Sequence, residues 1–173
     1  LVATMSAWIM ALLLQLKPVD FIRISLPVEL WIVFRFLASF CGVFGFSIMF
    51  NSPIRLASAS ALIGAAANTL RLELVDLVGM PPAAAAFIGA LTAGLFASMI
   101  KNKAGYPRIS LTVPSIVIMV PGLYLYRGFY NLGIMSLSTA ASWFAAAILI
   151  IAALPLGLIF ARILTDRTFR YCT

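Results

Sequence analysis

Histidine is absent from all 173 residues. The chain therefore has no imidazole to serve as a general base, a metal ligand or a switch near neutral pH. Cysteine is scarce. Cys41 lies inside an apolar run and Cys172 near the C-terminal end, with no metal or redox spacing, so both are read as non-functional thiols. Charge is scarce too: five acidic residues face twelve Lys and Arg, and charged residues make up 10% of the chain, against about 25% in ordinary proteins. No nucleophile–base pair, glycine-rich phosphate loop or metal motif is present. These absences argue against an enzyme, and no cofactor or metal is expected.

What fills the space is apolar. Hydrophobic residues make up 64% of the chain and its mean hydropathy is +1.11, where average usage is about 45–50% apolar. The sequence is that of an integral membrane protein. The net charge of +7 is scattered between apolar runs rather than gathered on one face. It reads as a topology signal and as contacts with anionic headgroups, not as a nucleic-acid surface.

Taken in order, residues 1–16 form an apolar run slightly short of the ~17–25 residues a spanning helix needs. Residues 17–27 are polar, proline-bounded and read as an amphipathic connector. Val28 to Phe50 is long enough to span, with Arg35 about two turns in, where snorkelling would return its head to the interface. Asn51-Ser52-Pro53 is a stop and restart, with Pro53 expected at a first helical position. A third span, Ile54 to Val78, is almost wholly small residues from Ala57 to Asn68, which allows close backbone approach in a membrane. Gly79-Met80-Pro81-Pro82 breaks the chain again. The fourth span, Ala83 to Ile100, repeats the close-packing pattern at Ala86, Ala90 and Gly94. A final span runs from about Leu137 to Ala161.

Between these lies the stretch that sets the rest, Ser110 to Arg127. It is apolar enough to enter a bilayer, yet Pro114 and Pro121 interrupt it and Gly122 follows the second proline. Each proline removes a backbone donor and clashes with the preceding turn. Broken backbone in a membrane survives only where protein or a water-filled cavity surrounds it, and transporters place their sites at such segments. The plainer reading is an ordinary proline-kinked span. Loop charges orient the chain if every run spans. Arg55, Lys101, Lys103, Arg108, Arg162, Arg167 and Arg170 fall on one side, against Lys17, Arg23 and Arg127. That places the C-terminal tail in the cytoplasm.

Arg71, Glu73 and Asp76 are the tight cluster of opposite charges near a span. Arg71 lies roughly 25 Å along the third helix, near the far edge of a ~30 Å hydrocarbon core. A guanidinium there could hold a substrate carboxylate bidentately. Glu73 and Asp76 share a face and could carry a proton, because like-charge repulsion and partial burial favour one held between them. The alternative is that the acids are simply wetted at the interface. Asn51 and Asn68 could present amides to substrate, or serve as a helix cap and an interhelical hydrogen bond. Ser115 could meet substrate or make a local backbone bond. Tyr124, Tyr126 and Tyr130 around Arg127 read as an aromatic belt. Arg35 lies between bulky Phe34 and Phe36, which suggests a lipid-facing or packing role.

Three segments together carry a family pattern: GFSIMFNSPIR (Gly45–Arg55), Asn-Thr-Leu-Arg (Asn68–Arg71) closing a small-residue helix, and VPSIVIMVPG (Val113–Gly122). The pattern resembles the C-terminal membrane domain of the threonine/serine exporter family, over about Val28 to Arg162. The resemblance implies a bacterial inner-membrane exporter of small polar metabolites such as threonine and serine, or dicarboxylates in split relatives. It implies drive from the proton motive force and a partner carrying the family's N-terminal membrane domain. The family pattern falls on Asn51, Pro53, Arg55, Gly64, Arg71, Pro114, Pro121 and Gly122.

The expectation is an all-α polytopic membrane protein with five to six transmembrane helices, one of them broken by proline. Residues 1–27 would form an N-terminal helix and connector, 28–165 the exporter domain and 166–173 a basic cytoplasmic tail. Arg71, Asn68, Asn51 and Ser115 would bind substrate, Glu73 and Asp76 would couple protons, and Pro53, Pro114, Pro121 and Gly122 would shape the path. The two small-residue faces also predict a partner subunit or a second copy, since one chain is short of bulky helices to cover both. Rival readings are a membrane scaffold that stabilises a partner and a passive channel.

Overall fold

The computed structural model describes residues 2–16 and 27–166, apart from the side chains at 4 and 102–104. Most of the 17–27 connector, Cys172 and the tail from 167 onward lie outside the described residues. Every element is helical: α1 (Val2–Leu13), α2 (Val28–Met49), α3 (Ile54–Asp76), α4 (Pro82–Ala104), α5 (Arg108–Val117), α6 (Gly122–Gly133) and α7 (Leu137–Thr165). Four stretches are long and apolar enough to cross a membrane: Val28–Met49, Pro82–Lys101, Arg108–Gly133 with its interruption, and Leu137–Thr165. At 12 residues, α1 is about 18 Å long and falls short of a ~30 Å hydrocarbon core. α3 has the length, with 23 residues, but its charged end and amide make it less apolar.

Prolines set the starts. Pro27, Pro53, Pro81, Pro107 and Pro121 stand at the N-caps of α2 to α6, and none of these caps has a side-chain hydrogen bond. A proline ring fixes φ and has no N–H to leave orphaned, so it begins a helix without a polar cap. Its carbonyl still accepts the first helical bond, as Pro53 does from Ala57 at 2.9 Å and Pro81 from Ala85 at 3.1 Å. Pro53 thus sits one residue before the position the sequence suggested. The preceding helix stops by a Schellman motif. Asn51 takes the left-handed conformation at φ 57°, Ser52 N–H donates to Ser47 O at 3.0 Å and Asn51 N–H to Ile48 O at 2.9 Å.

The helices group into two compact units. In one, α1 and α6 pack together with the first part of α7, to Ile151. Gly133 gives room to the Trp8 indole and Gly128 to the Phe144 ring. Phe129 meets Phe144 edge to face at 5.1 Å, and Arg127 lies over Trp143 at 4.9 Å. Tyr124 also packs on Trp143, so these aromatics make ring contacts with one another inside this unit.

The other unit holds α2 to α5 and α7 from Ala152 onward. α3 is its centre, packed by α2, α4 and α5, and Ala57, Ser60, Ala61, Gly64, Ala65, Ala67 and Asn68 are all buried. A Cβ at Gly64 would sit 2.8 Å from Val43 Cγ2 and 2.9 Å from the Ser115 carbonyl oxygen. On α4, Ala86, Ala90, Ala93 and Ala97 are fully buried. Gly157 of α7 comes so close that a Cβ there would lie 2.5 Å from Phe87 O. Both small-residue faces are therefore covered within the chain. The expectation that they need a partner loses its basis, because thin helices cover one another without bulky neighbours.

Gly64→Ala should lower the thermal midpoint of the detergent-solubilised chain, by overpacking worth about 1–3 kcal/mol. Gly45→Ala, at a position where a Cβ would meet nothing within 4 Å, should leave it unchanged or slightly raised. Equal effects of the two would contradict the close α2–α3–α5 packing.

Candidate functional site

The interruption after α5 gathers the candidate residues of the larger unit. α5 runs straight through Pro114, so the first proline does not end the helix. It does deprive the Ser110 carbonyl of its usual donor, and Ser60 Oγ from α3 approaches that oxygen at 3.5 Å. Ser115 is fully buried. Its hydroxyl lies 2.5 Å from Leu111 O and 3.0 Å from Ser60 O, and donates to these backbone acceptors. The contact with Leu111 O is the local backbone bond weighed for Ser115, while the contacts between Ser60 and α5 stitch α3 to α5.

The break comes at 118–121. Met119 N–H donates to Ile116 O at 2.9 Å and Val120 N–H to Val117 O at 3.2 Å, a tightened last turn. Pro121 has no N–H and opens α6. The Met119 carbonyl accepts from Arg71 Nη1 at 2.9 Å. Met119's own side chain is fully buried. A Cβ at Gly89 of α4 would meet Arg71 Cβ at 3.2 Å and Met119 Sδ at 3.3 Å. The missing side chain at 89 is what lets α4 close over this contact. From α2, Gly42 leaves room for Ile118, whose Cδ1 would be 2.8 Å from a Cβ there. Three helices, α2, α3 and α4, therefore converge where α5 loses its regular bonding.

Asn68 lies one turn before Arg71 on the same face of α3. It is buried, and its Nδ2 donates to Ser39 Oγ on α2 at 2.9 Å. Its Oδ1 is buried with no hydrogen-bond partner among the described residues, as is the neighbouring Thr69 Oγ1. An unsatisfied buried amide oxygen is costly, about 1–3 kcal/mol, so it reads as an acceptor waiting for a donor. Asn51 is elsewhere, exposed at the α2 stop, and Pro53 starts α3. Gly122 is the first residue of α6, with open space where a Cβ would be.

Glu73 and Asp76 do share a face, but not as a free carboxylate pair. Arg35 of α2 reaches both: Nη1 donates to Glu73 Oε1 at 2.8 Å and Nη2 to Asp76 Oδ2. Its guanidinium also lies 5.3 Å from the Trp31 ring centroid. The side chains of Arg35 and Glu73 are 20% and 16% exposed, enough burial for the pair to matter. Of the two roles the sequence left open for Arg35, lipid-facing or packing, these contacts fit packing. Flanking Phe34 points outward at 56% exposure, but helical residues one apart face different directions. A signal was available in the hairpin. Reflection through the turn at Asn51-Ser52 sets position 35 opposite about position 68, and helical side chains lean toward the N-terminus. The long arginine stem then arrives at the far end of α3, where the acids are.

A family model described as "Threonine/Serine exporter, ThrE" matches residues 35–164. No curated protein and no solved structure matches the chain.

Arg35→Gln should destabilise the chain by about 1–3 kcal/mol, chiefly because it strands the half-buried Glu73 carboxylate, the more exposed Asp76 being partly served by solvent. Adding Glu73→Gln and Asp76→Asn should restore at least part of that loss. Thermal unfolding in detergent compares the single and triple variants; a triple variant less stable than the single one would mean the three charges are not energetically coupled.

Proposed function

The chain belongs to the threonine/serine exporter family, and from that premise we propose that it is the membrane subunit, or C-terminal half, of a secondary exporter. Its cargo is a small polar metabolite bearing a carboxylate, a threonine- or serine-type amino acid or a dicarboxylate. It works in a bacterial inner membrane, with a partner carrying the family's N-terminal membrane domain. On this reading α3 crosses the bilayer as well, as a fifth span that the other helices shield.

The observation that carries the proposal is the bond from Arg71 to the Met119 carbonyl at the helix break. A neutral carbonyl is a weaker acceptor for guanidinium than a carboxylate, since charge-assisted hydrogen bonds are roughly twice as strong. An arriving substrate carboxylate would outcompete Met119 for Arg71 and free the end of α5 from α3. Cargo binding and movement of the broken segment would then be one event. For an amino acid, the ammonium group would donate to Asn68 Oδ1, one turn away. A bare anion in this setting would be prohibitively costly without such a cation.

The second charged group supports the proton-coupling part of this proposal. A proton taken up by Glu73 or Asp76 removes a negative charge and weakens that acid's bond to Arg35. Both acids ride on α3, the helix that carries Arg71. The proton motive force could therefore act on the same helix that holds the cargo.

Lysine at position 71 keeps the charge and loses the planar fork. With the partner present, Arg71→Lys should cut export by about tenfold or more, the equivalent of ~1.4 kcal/mol, while the amount of protein in the membrane holds. Radiolabelled threonine or dicarboxylate efflux, normalised to membrane protein, makes the measurement. Wild-type export by Arg71→Lys, with Arg71→Ala only lowering protein level, would make Arg71 structural and end the carboxylate reading.

A further inference from the structure

A second charged region of the larger unit lies where α4 ends, α5 begins and α7 ends. Lys101, Arg108, Arg162 and Asp166, with Pro107, Ile109, Thr112, Leu158 and Ile159, line an open cleft of about 530 Å³. That volume falls in the range of about 300–1,000 Å³ typical of small-molecule sites. Three cations against one acid give the lining a formal charge of +2. The acid is partly engaged already, with Arg162 Nε 3.8 Å from Asp166 Oδ2.

Arg108 is the built part of the site. Its Nη1 donates to Thr165 Oγ1 at 3.1 Å, and Thr165 Oγ1 in turn donates to Ala161 O at 2.7 Å. The guanidinium is seated against Gly94 of α4, where a Cβ would lie 3.1 Å from Nη2. Yet Nη2 itself is buried with no acceptor among the described residues. A buried cationic N–H without an acceptor is expensive, and an anion is its natural remedy.

The apolar lining points to the source of that anion. Ile109 is 68% exposed and Ile159 44% exposed, beside the cations rather than apart from them. These residues stand at the ends of stretches long and apolar enough to cross a membrane, an end position that corresponds to headgroup depth when those stretches span. A free phosphate would gain nothing from exposed isoleucines, whereas acyl chains would cover them. We propose that this cleft binds the phosphate of an anionic membrane lipid, with Lys101, Arg108 and Arg162 on the headgroup and Ile109, Leu158 and Ile159 against its chains. Basic pockets between transmembrane helices hold anionic headgroups in this manner. The site is separate from the Arg71 region, so its test does not depend on the transport reading.

Native mass spectrometry of the full chain released from nanodiscs of phosphatidylglycerol and phosphatidylcholine reads out retained lipid. Wild type should retain phosphatidylglycerol in preference to phosphatidylcholine. Lys101→Gln with Arg162→Gln, which leaves the Arg108–Thr165 bond in place, should lower that retention by about tenfold or more. Asp166→Asn should raise it, since it removes a competing charge; a purely structural role for these residues would not. Arg55→Gln, a cation outside the cleft, should change nothing. A parallel arm adds inorganic phosphate to the chain in detergent without anionic lipid. Equal retention of the two lipids, or full retention by the double variant, overturns the proposal. So does phosphate binding without any phosphatidylglycerol preference, which would make a soluble phosphate the ligand.

Discussion

A polypeptide that stops being helical inside hydrocarbon must find partners for the carbonyls it frees, and this requirement organises the larger unit. Pro114 and Pro121 each delete a donor from the ladder. The Val117 carbonyl that Pro121 would have served takes Val120 N–H instead, while from α3 Ser60 reaches the Ser110 carbonyl and Arg71 the Met119 carbonyl at the break. For α3 to reach so close, its face must be nearly free of bulk, hence the run from Ala57 to Asn68. For α4 to close over the contact, Gly89 must lack a side chain. The small residues and the broken helix are two sides of one constraint.

The same constraint explains why charge is tolerated where it is. Arg71 is engaged by backbone, and Glu73 and Asp76 are engaged by Arg35. Hydrogen-bonding or oppositely charged partners are what make ionisable groups bearable near a bilayer, where an isolated one costs about 2.5–3.5 kcal/mol at a helix centre on the insertion scale. Asn68 Oδ1 and Thr69 Oγ1 stand out against this pattern, buried and unanswered among the described residues. The polar groups of α3 are thus of two kinds: those that hold the fold and those still able to accept.

Much of the fold was legible because membrane helices announce themselves by length and composition. The spans around α2, α4 and α7 and the interruption near Pro121 follow from apolar runs and proline chemistry alone. Arg71's position beside the break was not legible, since no periodicity says which loop carbonyl a side chain will meet. For Arg35 the neighbours Phe34 and Phe36 left a lipid-facing and a packing role open, and could not name the acids it pairs with, since facing direction changes with every residue. Pro114 was expected to disturb its helix and does not end it, because Ser60 lies within reach of the acceptor it orphans. The small-residue faces were read as needing a partner. Sequence shows that a face is thin, but not that an equally thin face from Gly157 lies against it.

Helices α2 to α6 all begin immediately after a proline, without a polar cap. A helix begun in this way lengthens backward by little more than one residue, because a proline wound further in disfavours helical backbone at the residue before it. Each of these helices therefore has a nearly fixed origin along its axis. In a thicker or thinner bilayer these N-terminal ends have little room to rewind, which leaves the C-terminal ends, tilting and deformation of the surrounding lipid to take up the mismatch. The apolar height of this protein is set in part by where its prolines stand, which makes its fit to a given membrane a property of sequence spacing as well as of helix composition.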